Sequence, residues 1–168
     1  MLCEVDILGM IASILEPETL SIFIQLLLSV FLGALVGLER ELQGKSAGLR
    51  TYALVSLGAC LFTVVPLYGF KGFLDVSALD PSRVAAQVVV GIGFLGGGII
   101  FLKGDIVYGL TTAAGLWISA ALGVAVGAGL YWAAIFATFI ALVILTILKA
   151  TERYIHRDRP GDVRHDLT

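Results

Sequence analysis

The residues of this chain that could do polar chemistry gather in two places. Glu39-Arg40-Glu41 stands where a long apolar run ends, and Lys45, Arg50 and Thr51 follow closely. Thr111-Thr112 opens a later apolar run as Arg50-Thr51 opens an earlier one. An arginine fork donates two parallel bonds to a carboxylate or a phosphate. A Glu39–Arg50 pair is therefore expected to lock two helix ends together. The same cluster of Glu39, Arg40, Arg50, Thr51, Thr111 and Thr112 would also suit partner docking or anion binding. Coordination of a metal by Glu39 with Asp105 is the third reading, but Mg²⁺ wants more carboxylate than this. No metal site and no cofactor are expected. The second place is Asp80-Pro81 with Arg83 and Gln87. Asp80 can accept the free N–H groups of a first helical turn, and Pro81 fits the first helical position. Arg83 can pair back to Asp80, and Gln87 lies one turn further on the same face. These three read either as a helix cap with an interface anchor or as a polar site opening to the outside. Catalysis finds little support. His156 and His165 lie in a polar tail, no Ser/His/Asp set assembles, and Cys60 sits inside an apolar run as a small hydrophobe. Cys3 and Cys60 make no disulfide framework. No enzyme is expected.

The elements that position these groups belong in lipid. The chain has 168 residues, of which 58% are hydrophobic and 14% charged, and its mean hydropathy is +0.98. A soluble domain carries roughly 25% charge, and so small a protein has too much surface to hide that much apolar side chain from water. A soluble enzyme and a disordered chain are thereby excluded. The net charge of −2 argues against a nucleic-acid partner. Leu20–Leu38, Thr51–Phe70, Val84–Leu102 and Ile106–Leu148 contain no Asp, Glu, Lys, Arg or His. The first three match the ~20 residues that a ~30 Å hydrocarbon core requires. The fourth has room for two crossings, with Gly127-Ala128-Gly129 as the break and Tyr131-Trp132 as interfacial aromatics. An all-α polytopic membrane protein is expected, with five helices near 20–38, 51–70, 84–102, 111–127 and 130–149. Runs this uniformly apolar lack the alternation of a membrane barrel. Pro66 is expected to kink the second helix or mark its outer end.

Orientation follows from the basic residues. Arg40, Lys45, Arg50, Lys103, Lys149, Arg153, Arg157, Arg159 and Arg164 fall on one side, and only Lys71 and Arg83 on the other. The richer side is expected to be cytoplasmic, which puts the N-terminus outside and the C-terminus inside. Residues 1–18 lack Lys and Arg and so do not read as a signal peptide. They read as an extracytoplasmic or interfacial segment. Residues 19–149 read as the transmembrane domain and residues 150–168 as a cytoplasmic polar tail.

A weak internal repeat links two parts of this plan. Phe31–Ala53 and Phe94–Ala114 both open with Phe-Leu-Gly and close with Gly-Leu-x-Thr-x-Ala. Each would cross the membrane, turn and start back, as parallel repeats do. Small residues four apart, Gly33/Gly37, Gly93/Gly97 and Gly123/Gly127, let helix backbones approach closely in lipid. They serve either packing within the bundle or a homo-oligomer face. Gly91-x-Gly93-x-x-Gly96 matches a dinucleotide fingerprint only literally, because it lies inside a lipid-length helix.

Five runs in order resemble the N-terminal membrane domain of the MgtC/SapB family. They are Gly37-Leu38-Glu39-Arg40, Ala47–Thr51, Asp80–Val88, Gly91–Gly98 and Gly109–Trp117. The resemblance implies a multi-pass protein of the bacterial inner membrane linked to growth in low magnesium, virulence or stress. It implies a regulator that acts on other membrane machines, including the F-type ATP synthase. A Mg²⁺ or other ion transporter is the alternative. Intramembrane carboxylates normally mark ion pathways, and the five expected helices carry none; the backbone carbonyls of Gly96–Gly98 are the remaining candidate path. Family members commonly carry a soluble domain after the membrane part. The 20 residues from Lys149 are expected to be too short and polar to form one.

Overall fold

The structure is a computed structural model that describes residues 16–69 and 80–148. Of the expected N-terminal segment, residues 1–15 lie outside the described residues and residues 17 and 18 belong to the first helix; Cys3, Lys71 and the polar tail with His156 and His165 also lie outside. Among the described residues five helices carry the fold, as expected of an all-α membrane protein. They are α1 (Pro17–Leu42), α2 (Leu49–Val64), α3 (Pro81–Ile99), α4 (Leu110–Gly127) and α5 (Tyr131–Val143). Wider π turns, Val65–Gly69 and Ile144–Leu148, extend α2 and α5. Pro66 sits in the first of these, at the end of the helix, where its missing N–H interrupts the regular i→i−4 ladder. Between α3 and α4 two short strands, β1 (Phe101–Lys103) and β2 (Ile106–Tyr108), pair antiparallel.

α1, α2 with its π turn, and α4 are long and apolar enough to cross a membrane; Arg83–Ile99 and Tyr131–Ile147 are shorter apolar helices. The exterior is what lipid demands. Phe94, Trp132 and Leu27 are 84%, 83% and 70% exposed. Buried hydroxyls of Ser29, Thr63 and Thr138 return to carbonyls of their own helices, at 2.8 Å each, because no water is there to satisfy them.

Glycines end the helices where the backbone must turn left. α1 closes in a Schellman motif: Lys45 N–H donates to Arg40 O at 3.1 Å and Gly44 N–H to Glu41 O at 2.9 Å, with Gly44 at φ +64°. The same motif closes α4 at the expected Gly127-Ala128-Gly129 break. There Leu130 N–H donates to Ala125 O at 2.8 Å and Gly129 N–H to Val126 O at 3.0 Å.

Two expected boundaries shift. α1 runs four residues past Leu38, because Glu39, Arg40, Glu41 and Leu42 are good helix formers and leaving lipid does not end a helix. α3 stops at Ile99 rather than Leu102. Phe101 and Leu102 instead enter the hairpin, whose two-residue turn places Gly104 at φ +63°.

The core forms around α2, which packs extensively on α1 and α4. α5 lies against α4 and α1, while α3 leans mainly on α4 and less on α2. Val36, Tyr52, Cys60, Leu116 and Val126 fill the α1–α2–α4 seam almost without exposure.

Candidate functional site

The polar cluster around Glu39 lies where α1 ends and α2 and α4 begin. Glu39 and Arg40 are both buried, and Arg40 is only 2% exposed. Arg40 Nε donates to Glu39 Oε2, and its Nη2 donates to Leu145 O at 3.4 Å. The expected Glu39–Arg50 pair does not form. The adjacent arginine folds back onto Glu39, while Arg50 is an exposed side chain. Glu39 thus anchors α1 to the last turn of α5 through Arg40, and not α1 to α2. Glu39 Oε1 is buried with no hydrogen-bond partner among the described residues. The α1–α2 link is made by Glu41, whose Oε2 accepts the Leu49 N–H at 2.9 Å and so caps α2.

Tyr52 holds this end together. It is fully buried and its Oη donates to Thr112 O at 3.2 Å, while Ser119 Oγ donates to Tyr52 O at 2.7 Å. These bonds tie the start of α2 to α4. Thr112 is buried, whereas Thr51 and Thr111 are exposed. Sequence reasoning missed Tyr52. Its signal was an aromatic among small residues, matched by Gly37 and Gly115, either of which would drive an added Cβ into the tyrosine.

The glycines divide into two kinds. A Cβ on Gly33 would lie 2.6 Å from Ser56 Cβ, and one on Gly37 would lie 2.8 Å from Leu49 Cα. Gly127 would meet Cys60 O at 2.8 Å, and Gly123 is tighter still against Ser56 O. These four let α1 and α4 close on α2. Gly93 and Gly97 do not take part in that packing. Both are exposed, with nothing within 4 Å of an added Cβ. Of the glycines late in α3 only Gly96 comes near α4, where an added Cβ would lie 3.6 Å from Ala113 Cβ. Gly96–Gly98 form the last turn of α3, where the Gly97 carbonyl accepts the Ile100 N–H at 3.3 Å.

At the opposite end Asp80, Arg83 and Gln87 are all exposed. The Arg83 N–H donates to the Asp80 carbonyl at 3.1 Å, closing the first turn of α3. Near that end Gln25 Nε2 donates to Tyr131 Oη at 2.9 Å and joins α1 to α5, another link the sequence reading missed. Among the described residues no group of three His, Cys, Asp or Glu could hold a metal ion. Between α2 and α3 lies an open apolar groove of about 630 Å³, with Arg50 and Thr51 at one mouth and Gln87 toward the other.

Glycine-seamed helices, a lipid-facing exterior and buried hydroxyls bonded to their own backbone define a polytopic helical membrane protein. Comparison with known sequences makes the class specific: the MgtC family matches residues 26–154, and the chain belongs to that family. It is 41% identical over 152 residues to an uncharacterised protein of Haemophilus influenzae, covering 88% of this chain and 64% of that one. It is 42% identical over 131 residues to the "Putative magnesium transporter YhiD" of Escherichia coli K12, covering 77% of this chain and 61% of the relative. Protein MgtC of Brucella abortus is 48% identical over 118 residues, which are 70% of this chain and 47% of the relative. The chain therefore spans less than two thirds of the length of these curated relatives. No solved structure matches.

Proposed function

We propose that this chain is a regulatory protein of the bacterial inner membrane, which binds and modulates another membrane protein during magnesium or stress adaptation. The observation that carries the reading is the outward face of α3. Ala86, Val90, Gly93 and Gly97 share one face by their i, i+4, i+7, i+11 spacing, and all four are exposed. A helix whose Gly-x-x-x-Gly its own bundle does not use offers a foreign helix close backbone approach. A second copy of the chain could dock in the same way. In this reading the end rich in basic residues lies in the cytoplasm, supported by the nine-to-two distribution of Lys and Arg. The role is non-catalytic. The F-type ATP synthase is the first partner to look for, on the family resemblance.

The alternative is transport of Mg²⁺, which the name of the Escherichia coli relative suggests for that protein. One pair of experiments separates the two. Affinity capture of the tagged full chain from native membranes should recover a stoichiometric partner, and Gly93→Leu with Gly97→Leu should abolish recovery while the protein still accumulates. Recovery of the chain alone, together with robust Mg²⁺ flux from liposomes holding the purified protein, would overturn regulation in favour of transport.

A further inference from the structure

The groove between α2 and α3 faces away from the glycine stripe just described, and its shape and charge identify a different occupant. Its walls are apolar side chains such as Leu54, Phe62, Val88 and Leu95. Gly58 and Gly91 also line it, and a Cβ added to either would meet nothing within 4 Å. The cleft is therefore wide enough for a slender apolar guest. On α2 it runs from Arg50 to Phe62, which at ~1.5 Å per residue is roughly 18 Å. That is close to the depth of one leaflet, about half of a ~30 Å hydrocarbon core.

Polar groups mark the end at which the guest's head would sit. Arg50 is exposed and makes no hydrogen bond or ion pair among the described residues. Thr51 stands beside it at the same mouth. Both occupy the first turn of α2, where Gly48 supplies no side-chain cap. Glu41 takes only the Leu49 N–H, so the Arg50 and Thr51 N–H groups remain as donors at a helix N-terminus. Glu41 is the nearby opposing charge, but it does not line the groove. A guanidinium, a hydroxyl and two amide N–H groups complement a phosphate monoanion.

We infer that the α2–α3 groove binds one anionic phospholipid, its phosphate at Arg50 and Thr51 and an acyl chain along Leu54–Phe62. The apolar wall selects for the tail and the arginine selects for headgroup charge.

Native mass spectrometry of the purified full chain tests this, with phosphatidylglycerol or phosphatidylcholine of identical chains added in detergent. Wild type should retain one phosphatidylglycerol in preference to phosphatidylcholine. Arg50→Gln should cut that preference about fivefold, the ~1 kcal/mol that one basic residue contributes at an anionic surface. Gly58→Phe, which fills the cleft, should release both lipids. Should Gly58→Phe fail to fold, the exposed Arg50→Gln still decides the question. Equal retention of the two lipids, or an unchanged preference in Arg50→Gln, overturns the assignment. So does displacement of the lipid by inorganic phosphate alone, or a dimer that Gly58→Phe dissociates. None of these outcomes depends on whether a partner protein is captured through Gly93 and Gly97.

Discussion

The two halves that share the Phe-Leu-Gly…Gly-Leu-x-Thr-x-Ala pattern fold alike and pack differently. In both, a helix leaves the lipid, a loop turns, and a second helix starts at the leucine after a glycine, Leu49 after Gly48 and Leu110 after Gly109. In the first half Gly33 and Gly37 face the returning helix, and any side chain there would collide with it. In the second half Gly93 and Gly97 face outward, and only Gly96 touches the returning helix, at ordinary contact distance. The first half also secures its loop end with the Glu39–Arg40 pair and the Glu41 cap, while the second ends in a hairpin whose strand residues are all exposed. One motif thus yields a structural seam and a free surface, and the difference is which side of the helix carries the small residues.

Substitutions at packed and at exposed positions test this division. The largest effect is expected from Arg40→Ala, which strands a buried carboxylate and should cost ~3–5 kcal/mol. Arg50→Ala, at an exposed position, should leave the thermal midpoint in lipid-free detergent unchanged. Equal losses in the two variants would erase the contrast. Next come Gly33→Val and Gly123→Val, where overpacking should cost roughly 1–3 kcal/mol or more. Size-exclusion profiles should show them aggregated or absent, with Gly58→Val and Gly93→Val eluting like wild type. Tyr52→Phe should be milder. It deletes one bond between α2 and α4, and interhelical bonds of this kind are worth about 0.6 kcal/mol in membrane proteins. A small drop in midpoint is expected, with the elution volume kept. The smallest effect belongs to Phe101→Ala. The Phe101 and Tyr108 rings stack with centroids 5.6 Å apart, and such cross-strand pairs contribute roughly 0.2–1 kcal/mol. Faster amide exchange confined to Ile106–Tyr108 would report it. A global loss of stability would mean that the hairpin belongs to the seam.

The helices were legible because lipid imposes a length and forbids charge, so uninterrupted apolar runs could mean little else. The α4–α5 break was legible because only glycine takes the left-handed turn that Gly129 makes at φ +79°. Helix ends were less so, because polarity marks the membrane surface while backbone bonds mark the helix, and the two part company after Leu38. The partner of Glu39 was invisible for another reason. Arg40 and Arg50 offer the same fork, and only the packed end of α5, with the Leu145 carbonyl, makes the nearer one the better choice. Likewise the glycine spacing reveals a close-approach face without saying which neighbour uses it. Gly33/Gly37 and Gly93/Gly97 look the same until the fold assigns one face to α2 and the other to the outside.

The hairpin after α3 carries a surface unlike that of the other described loops. Its strand residues expose Phe101, Leu102, Ile106, Val107 and Tyr108 around Lys103 and Asp105, a mixture at home at the lipid–water boundary. α3 packs on α4 more than on α2, and an aromatic hairpin of this kind gives its end an anchor of its own at that boundary.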